Sequence, residues 1–154
     1  MGTALENRQR RVLVPGRTLT RAAERALRAL GRRDGTVEIA VVDDAEIRRL
    51  NRAFRGVGRR TDVLAFPLEV AEAAGGLVGQ IVVSVDMARR QGQRLGVPLA
   101  QELCLLVTHG VLHLVGYDDR DPVEAELMHR REREILSTAG PGVSERLWAG
   151  LLPP

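Results

Sequence analysis

His109-Gly110-Val111-Leu112-His113-Leu114-Val115-Gly116-Tyr117-Asp118-Asp119 closes the longest uncharged part of the chain. From Leu103 to Val115 no Asp, Glu or Arg occurs, so the spacing predicts a helix that is buried on every side. His109 and His113 stand four residues apart, and on a helix both imidazoles leave the same face one turn apart. Two such imidazoles suit one metal ion, and buried imidazoles need partners in any case. Gly116 follows where a left-handed residue ends a helix without a Cβ penalty. The chain can then turn back and offer Asp119 as a third ligand. Two His and one carboxylate leave a coordination position for water, as catalytic zinc sites require. A pair of His at this spacing is often unremarkable. The uncharged helix, the placed glycine and the following carboxylate together favour a metal site.

Working outward, the chain's 154 residues predict one domain with a single core. Residues 1–10 are polar and are expected to form a flexible tail. They lack an apolar signal segment, and Glu6 breaks the myristoylation pattern that Gly2 could begin. No uncharged run is long enough to span a bilayer, so no membrane partner and a cytoplasmic location are expected. Cys104 is the one cysteine and excludes an intrachain disulfide. It lies five residues before His109, pointing off the His face, and reads as a small buried hydrophobe.

Every basic residue is Arg. Residues 1–60 carry 15 Arg against 7 acids, and residues 61–154 carry 8 Arg against 13 acids. Arg forks suit phosphate, so the basic half permits a polyanionic partner, although a compositional bias of the genome also explains the missing Lys. Aromatic content of 3% argues against a base-stacking platform.

Four strands are expected: Arg11–Val14, Val37–Val42, Val63–Leu68 and Gly79–Val85. Helices are expected at Leu19–Leu30, from Asp43 (boxed with Glu46) to Phe54, from Asp86 to Leu95, after Pro98 to Val115, and from Asp121-Pro122 to Thr138, with a short one at Val143–Leu151. Gly56–Arg60 and Ala71–Gly76 read as loops. Strands mixed with a helix-rich second half make the class α+β.

The His-bearing block resembles the signature of the YbeY family of endoribonucleases, H-G-x-L-H-L-x-G-Y-D-H. Leu50, Asn51, Arg55 and the run Arg60-Thr61-Asp62-Val63-Leu64-Ala65-Phe66-Pro67 are similar to that family's L-N-x-x-[YF]-R and P-T-D-V-L-S-F-P. Gly79-Gln80-Ile81-Val82-Val83-Ser84 resembles its G-D-I-x-I-S strand. The resemblance implies a zincin-like domain: a mixed four-stranded sheet covered by helices. It implies a zinc-dependent, single-strand-specific endoribonuclease that matures ribosomal RNA at the 3' end of the small-subunit species and serves ribosome quality control. The implied partners are single-stranded ribosomal RNA and the small ribosomal subunit, and the implied cofactor is one zinc per chain. Its metal ligands fall on His109, His113 and Asp119, and its functional arginine on Arg55.

Three departures stand out. Asp119 replaces the usual His, Gln80 the usual Asp, and Ala65 the common Ser. A carboxylate ligates zinc at a similar distance but adds negative charge, which makes bound water less acidic and favours harder ions. Asp118 is adjacent and is an alternative ligand; otherwise it serves beside Asp119 or near the water. Zinc on these residues would deliver hydroxide to a phosphodiester while Arg55 held the phosphate, with His109 and His113 part of the catalytic set. Arg59 and Arg60 are read either as further phosphate contacts or as a solvated loop. Gly110 stands where a metalloprotease carries its Glu, which counts against a zinc peptidase. A non-catalytic ribosome-assembly factor braced by metal is the other alternative. Glu102 is expected to face solvent, although it shares the His face; His129, among Arg130, Arg131 and Arg133, is expected on the surface; Trp148 and Leu147 are expected to pack the final helix on the core.

Overall fold

The computed structural model describes residues 3–54, 62–67, 77–139 and 142–151. In chain order the elements are β1 (Ala4–Asn7), α1 (Gly16–Ala29), β2 (Thr36–Val42), α2 (Asp44–Phe54), β3 (Val63–Pro67), β4 (Leu77–Ser84), α3 (Val85–Leu95), α4 (Leu99–Leu114), α5 (Pro122–Ser137) and a closing 3-10 helix, Glu145–Leu151. The strands form one mixed sheet in the order β1-β2-β4-β3. β1 and β4 run parallel to β2, and β3 pairs antiparallel to β4. The α+β class with a four-stranded mixed sheet is therefore the observed architecture.

Strand alternation builds two apolar layers from one sheet. Val37, Ile39 and Val41 of β2, Val63 and Ala65 of β3, and Ile81 and Val83 of β4 face the main core with α1, α4 and α5. The intervening Ala40, Val42, Leu64 and Val82 face Ile47 of α2. Side chains one position apart on a strand point to opposite faces, so these runs of β-branched residues cover both sides. A smaller cluster under the closing 3-10 helix holds Leu147 and Trp148 against Val97, Leu105 and Leu136.

α4 is the central beam. Residues Leu105 to Leu114 are buried without interruption, as a helix without a polar face requires. It lies on β3 and β4 and is flanked by α1, α3 and α5. Each fully enclosed leucine, such as Leu103 or Leu112, contributes about 2 kcal/mol by leaving water.

The first fifteen residues depart from expectation. The first strand lies at Ala4–Asn7, inside the segment read as a tail, and Arg11–Val14 forms no ladder. β1 has already taken the free edge of β2, from Ala4 opposite Glu38 to Asn7 opposite Val41. Val12 and Val14 still pack on the core, but from a loop. The Gln9 side chain replaces the missing ladder. Its Oε1 accepts from the N–H groups of Arg11 and Val12 at 3.1 and 3.0 Å, and its Nε2 donates to the Val12 carbonyl at 2.8 Å.

Helix starts follow the expected chemistry with one exchange. Asp43 Oδ1 accepts from Glu46 N at 2.9 Å, and Asp121 Oδ1 accepts from Glu124 N at 2.9 Å. α3, however, is capped by Ser84, whose Oγ accepts from Met87 N, and not by Asp86. Asp86 points away to accept from Asp44 N at the start of α2. A carboxylate there offsets the positive end of that helix and ties α2 to α3. Arg90 and Ser84 both donate to the Asp44 carboxylate, at 2.7 and 2.9 Å. Although partial burial raises the Asp44 carboxyl, these two donors hold it below its ordinary value.

Candidate metal centre

The last two turns of α4 carry His109 and His113, with ring centroids 4.6 Å apart and planes at 82°. The helix then ends in a paired-carbonyl cap. Gly116 has φ +106°, its N–H donates to the His113 carbonyl at 3.1 Å, and Tyr117 N–H donates to the Leu112 carbonyl at 3.0 Å. Only glycine enters that backbone region without strain. The reversal serves the site twice. It aims the Tyr117 carbonyl at His113 Nδ1, 3.0 Å away, and it returns Asp119 toward the Nε2 atoms of both rings.

Three ligand atoms then converge. The two Nε2 atoms are 3.0 Å apart, and Asp119 Oδ2 lies 3.6 Å from that of His109 and 3.8 Å from that of His113. Atoms so spaced share a point roughly 2 Å from each, the length of a zinc–imidazole or zinc–carboxylate bond. All three residues are buried or nearly so. Asp118 does not join them. It accepts from Asp119 N at 2.7 Å and pairs with Arg120.

Proton bookkeeping tests whether this set fits a cation. His113 Nδ1 faces a carbonyl, which only accepts, so that nitrogen carries the ring proton. His109 Nδ1 is in close contact with Glu132 Oε1 and also carries its proton. When both rings are neutral, their Nε2 atoms present lone pairs to one another and to a carboxylate. Asp119 Oδ1 is buried with no hydrogen-bond partner among the described residues. Acceptors gathered without a donor repel unless a cation sits among them. Burial, together with charge on His109, lowers the His113 pKa, so its ring stays neutral and ready to ligate. Without an ion, protonated His109 takes the cation's place: its hydrogen bond with Asp119 holds that carboxyl below its ordinary value, against the opposing effect of burial.

Glu132 escaped the sequence reading, and His129 was misplaced by it. Glu132 is fully buried, with its second oxygen 3.2 Å from His129 Nδ1. His129 is about a quarter exposed and stacks on His109 with centroids 6.4 Å apart, so it belongs to the centre and not to a solvated face. The signal was present: Met128, Glu132, Ile135 and Leu136 make one buried stripe on α5, and a carboxylate within such a stripe demands a partner. Glu102 is also buried at 3% exposure, not solvent-facing. Cys104 has its thiol pushed up to about 11 by burial, which keeps it protonated and unsuited to bind metal. Arg55, Arg59 and Arg60 lie outside the described residues.

Glu132 makes the metal-free fold acid-sensitive. Burial would raise its carboxyl, but charge on His109 and hydrogen bonds from His109 and His129 win and hold it down to about 2, against an ordinary 4.5. A depressed folded pKa gives stability that is complete above the unfolded value and lost as pH falls through the folded one. Removing it costs about 3 kcal/mol by linkage. In urea titrations of the metal-free protein, the wild type should lose stability between those two values more steeply than Glu132→Gln. Parallel curves would refute this.

The family described as Endoribonuclease YbeY matches residues 4–140. Among curated relatives bearing that name, one from Anaeromyxobacter sp. (strain Fw109-5) is 43% identical over 124 residues, covering 80% of this chain and 64% of the relative, so the match leaves over a third of that protein unspanned. One from Pelotomaculum thermopropionicum is 44% identical over 124 residues, covering 77% and 82%. One from Geobacter metallireducens is 37% identical over 142 residues, covering 89% and 95%. Among solved structures, the solution structure of TM1509 from Thermotoga maritima is similar with a TM-score of 0.56 and 26% identity, over 96% of this chain and 89% of that one.

Proposed function

This chain belongs to the Endoribonuclease YbeY family, and we propose that it is a metal-dependent endoribonuclease of ribosomal RNA processing, loaded with one zinc ion. The finer reading is cleavage of single-stranded RNA at the 3' end of the small-subunit species, on or near the small ribosomal subunit in the cytoplasm, with a part in ribosome quality control. The relatives' names support the activity. Among the described residues no helix is long and apolar enough to cross a membrane.

One observation carries the metal reading: two imidazole Nε2 atoms and a carboxylate oxygen, 3.0 to 3.8 Å apart, converge on a common point. His109, His113 and Asp119 would hold the ion. Bound there, zinc would supply Lewis acidity, activating water and polarising a phosphodiester. The chain's own residues do the remainder. The Tyr117 carbonyl and Glu132 hold the two ring protons on the nitrogens away from the site. Arg55 holds the scissile phosphate and offsets charge that grows as the bond breaks, with Arg59 and Arg60 adding attraction along the backbone. Asp118 braces the Asp119 backbone. Gly110 packs against Ile81, leaving no side chain at the position where a peptidase carries its base.

Replacing Arg55 by Ala tests this against a non-catalytic assembly factor. Cleavage of a single-stranded RNA should fall about 10²- to 10³-fold, while the melting temperature stays within about 3 °C of wild type, a shift of roughly 1 kcal/mol. Equal loss of stability and activity would favour a structural brace.

A further inference from the structure

We propose that Glu132 is a positioning residue of the metal centre: from α5 its buried carboxylate fixes the tautomer and orientation of His109 and strengthens its ligating nitrogen, with His129 holding the carboxylate from behind. The inference rests on the reading that His109, His113 and Asp119 bind one ion.

Cost identifies the feature as built. The Glu132 side chain has no exposure, and an ionised carboxylate withdrawn from water loses several kcal/mol of solvation. An apolar residue would suit its stripe between Met128 and Ile135. Both oxygens are instead engaged, Oε1 with His109 Nδ1 and Oε2 with His129 Nδ1. The two ligating imidazoles are consequently unequal. His113 donates to a neutral backbone carbonyl, whereas His109 donates to a charged carboxylate, which pushes more electron density toward its Nε2. Asp119 and Glu132 together bring two negative charges to a dication, so the enclosed group approaches neutrality.

The same atoms could suggest a second ion among His109, His129 and Glu132, whose ligand atoms also cluster within 4.8 Å. The contact between His109 Nδ1 and Glu132 Oε1 argues otherwise. They are in direct hydrogen-bond contact, so His109 Nδ1 donates its proton to the carboxylate and has no lone pair left for an ion.

Zinc affinity, read by competition with a chromophoric chelator on the full chain, tests the role without reference to RNA cleavage. Glu132→Gln keeps the size of the side chain and removes its charge. Its zinc Kd should rise about 10- to 100-fold. A residue that merely packs α5 on α4 would lower the melting temperature and leave that Kd unchanged, and a Kd within about threefold of wild type overturns the proposal. His113→Ala runs beside it. If wild type takes up no zinc, or His113→Ala binds as wild type does, the metal reading itself has failed. If those two behave as expected and only Glu132→Gln is normal, the positioning role alone has failed. Should Glu132→Gln not fold, nitrogen-15 spectra of the imidazoles in zinc-loaded wild type decide. A His109 ring proton on Nδ1, shifted further downfield than that of His113, supports the assignment, and one on Nε2 overturns it.

Discussion

His113→Ala should purify folded and almost free of zinc, and wild type should purify with about one ion per chain. The substitution removes one of three converging atoms and leaves Asp119 and His109 too few donors to hold the ion. Losing a Lewis acid worth several kcal/mol lowers RNA cleavage by on the order of 10³-fold. Stability of the metal-free protein should change far less. His113 lies at the end of α4, and among the described residues its hydrogen bond beyond the site is to the Tyr117 carbonyl. Elemental analysis and a cleavage assay on the same preparations check both halves. Stoichiometric zinc in the variant would show that the ion binds elsewhere.

Gly110→Glu, which would restore the metalloprotease pattern in sequence, should instead unfold much of the protein. A Cβ at position 110 would lie 2.8 Å from Ile81 Cγ2 and within 3.2 Å of two further atoms of that side chain. Ile81 has no exposure and sits in the middle of β4, so it has nowhere to retreat. Overpacking of this kind costs about 1–3 kcal/mol, and a buried carboxylate without a partner adds several more. A total of about 5 kcal/mol is a large share of a marginal fold's stability and lowers the melting temperature by roughly 10–20 °C. Gly110→Ala separates the causes. It keeps the clash without the charge and regains about 1 kcal/mol of helix propensity, so it should fall well short of the Glu variant. A Glu variant melting within about 3 °C of wild type would mean that the α4–β4 contact is looser than these distances imply.

These expectations mark where reading along the chain succeeds. α4 was legible because a helix uncharged from Leu103 onward has only one stable environment, the interior, whatever the rest of the chain does. The strands β2, β3 and β4 were legible from β-branched runs, and the ends of α4 and α3 from glycines at positive φ. β1 was not. Ala4-Leu5-Glu6-Asn7 has no β-branched residue, and only the open edge of β2 makes it a strand. Val12 and Val14 carried the better strand pattern but reached the core after that edge was filled.

The site divides along the same line. The sequence by itself determined the local convergence, because His109, His113, Gly116 and Asp119 lie within one helical turn and one reversal, where spacing dictates geometry. Only tertiary structure decided their support. Glu132 is 23 residues from His109 in sequence and meets it through the packing of α5 on α4. Local periodicity shows that a charged residue lies on a buried stripe, but the partner that makes its burial tolerable comes from a different helix. That choice is set by how two apolar faces pack together, a long-range event that no single segment encodes.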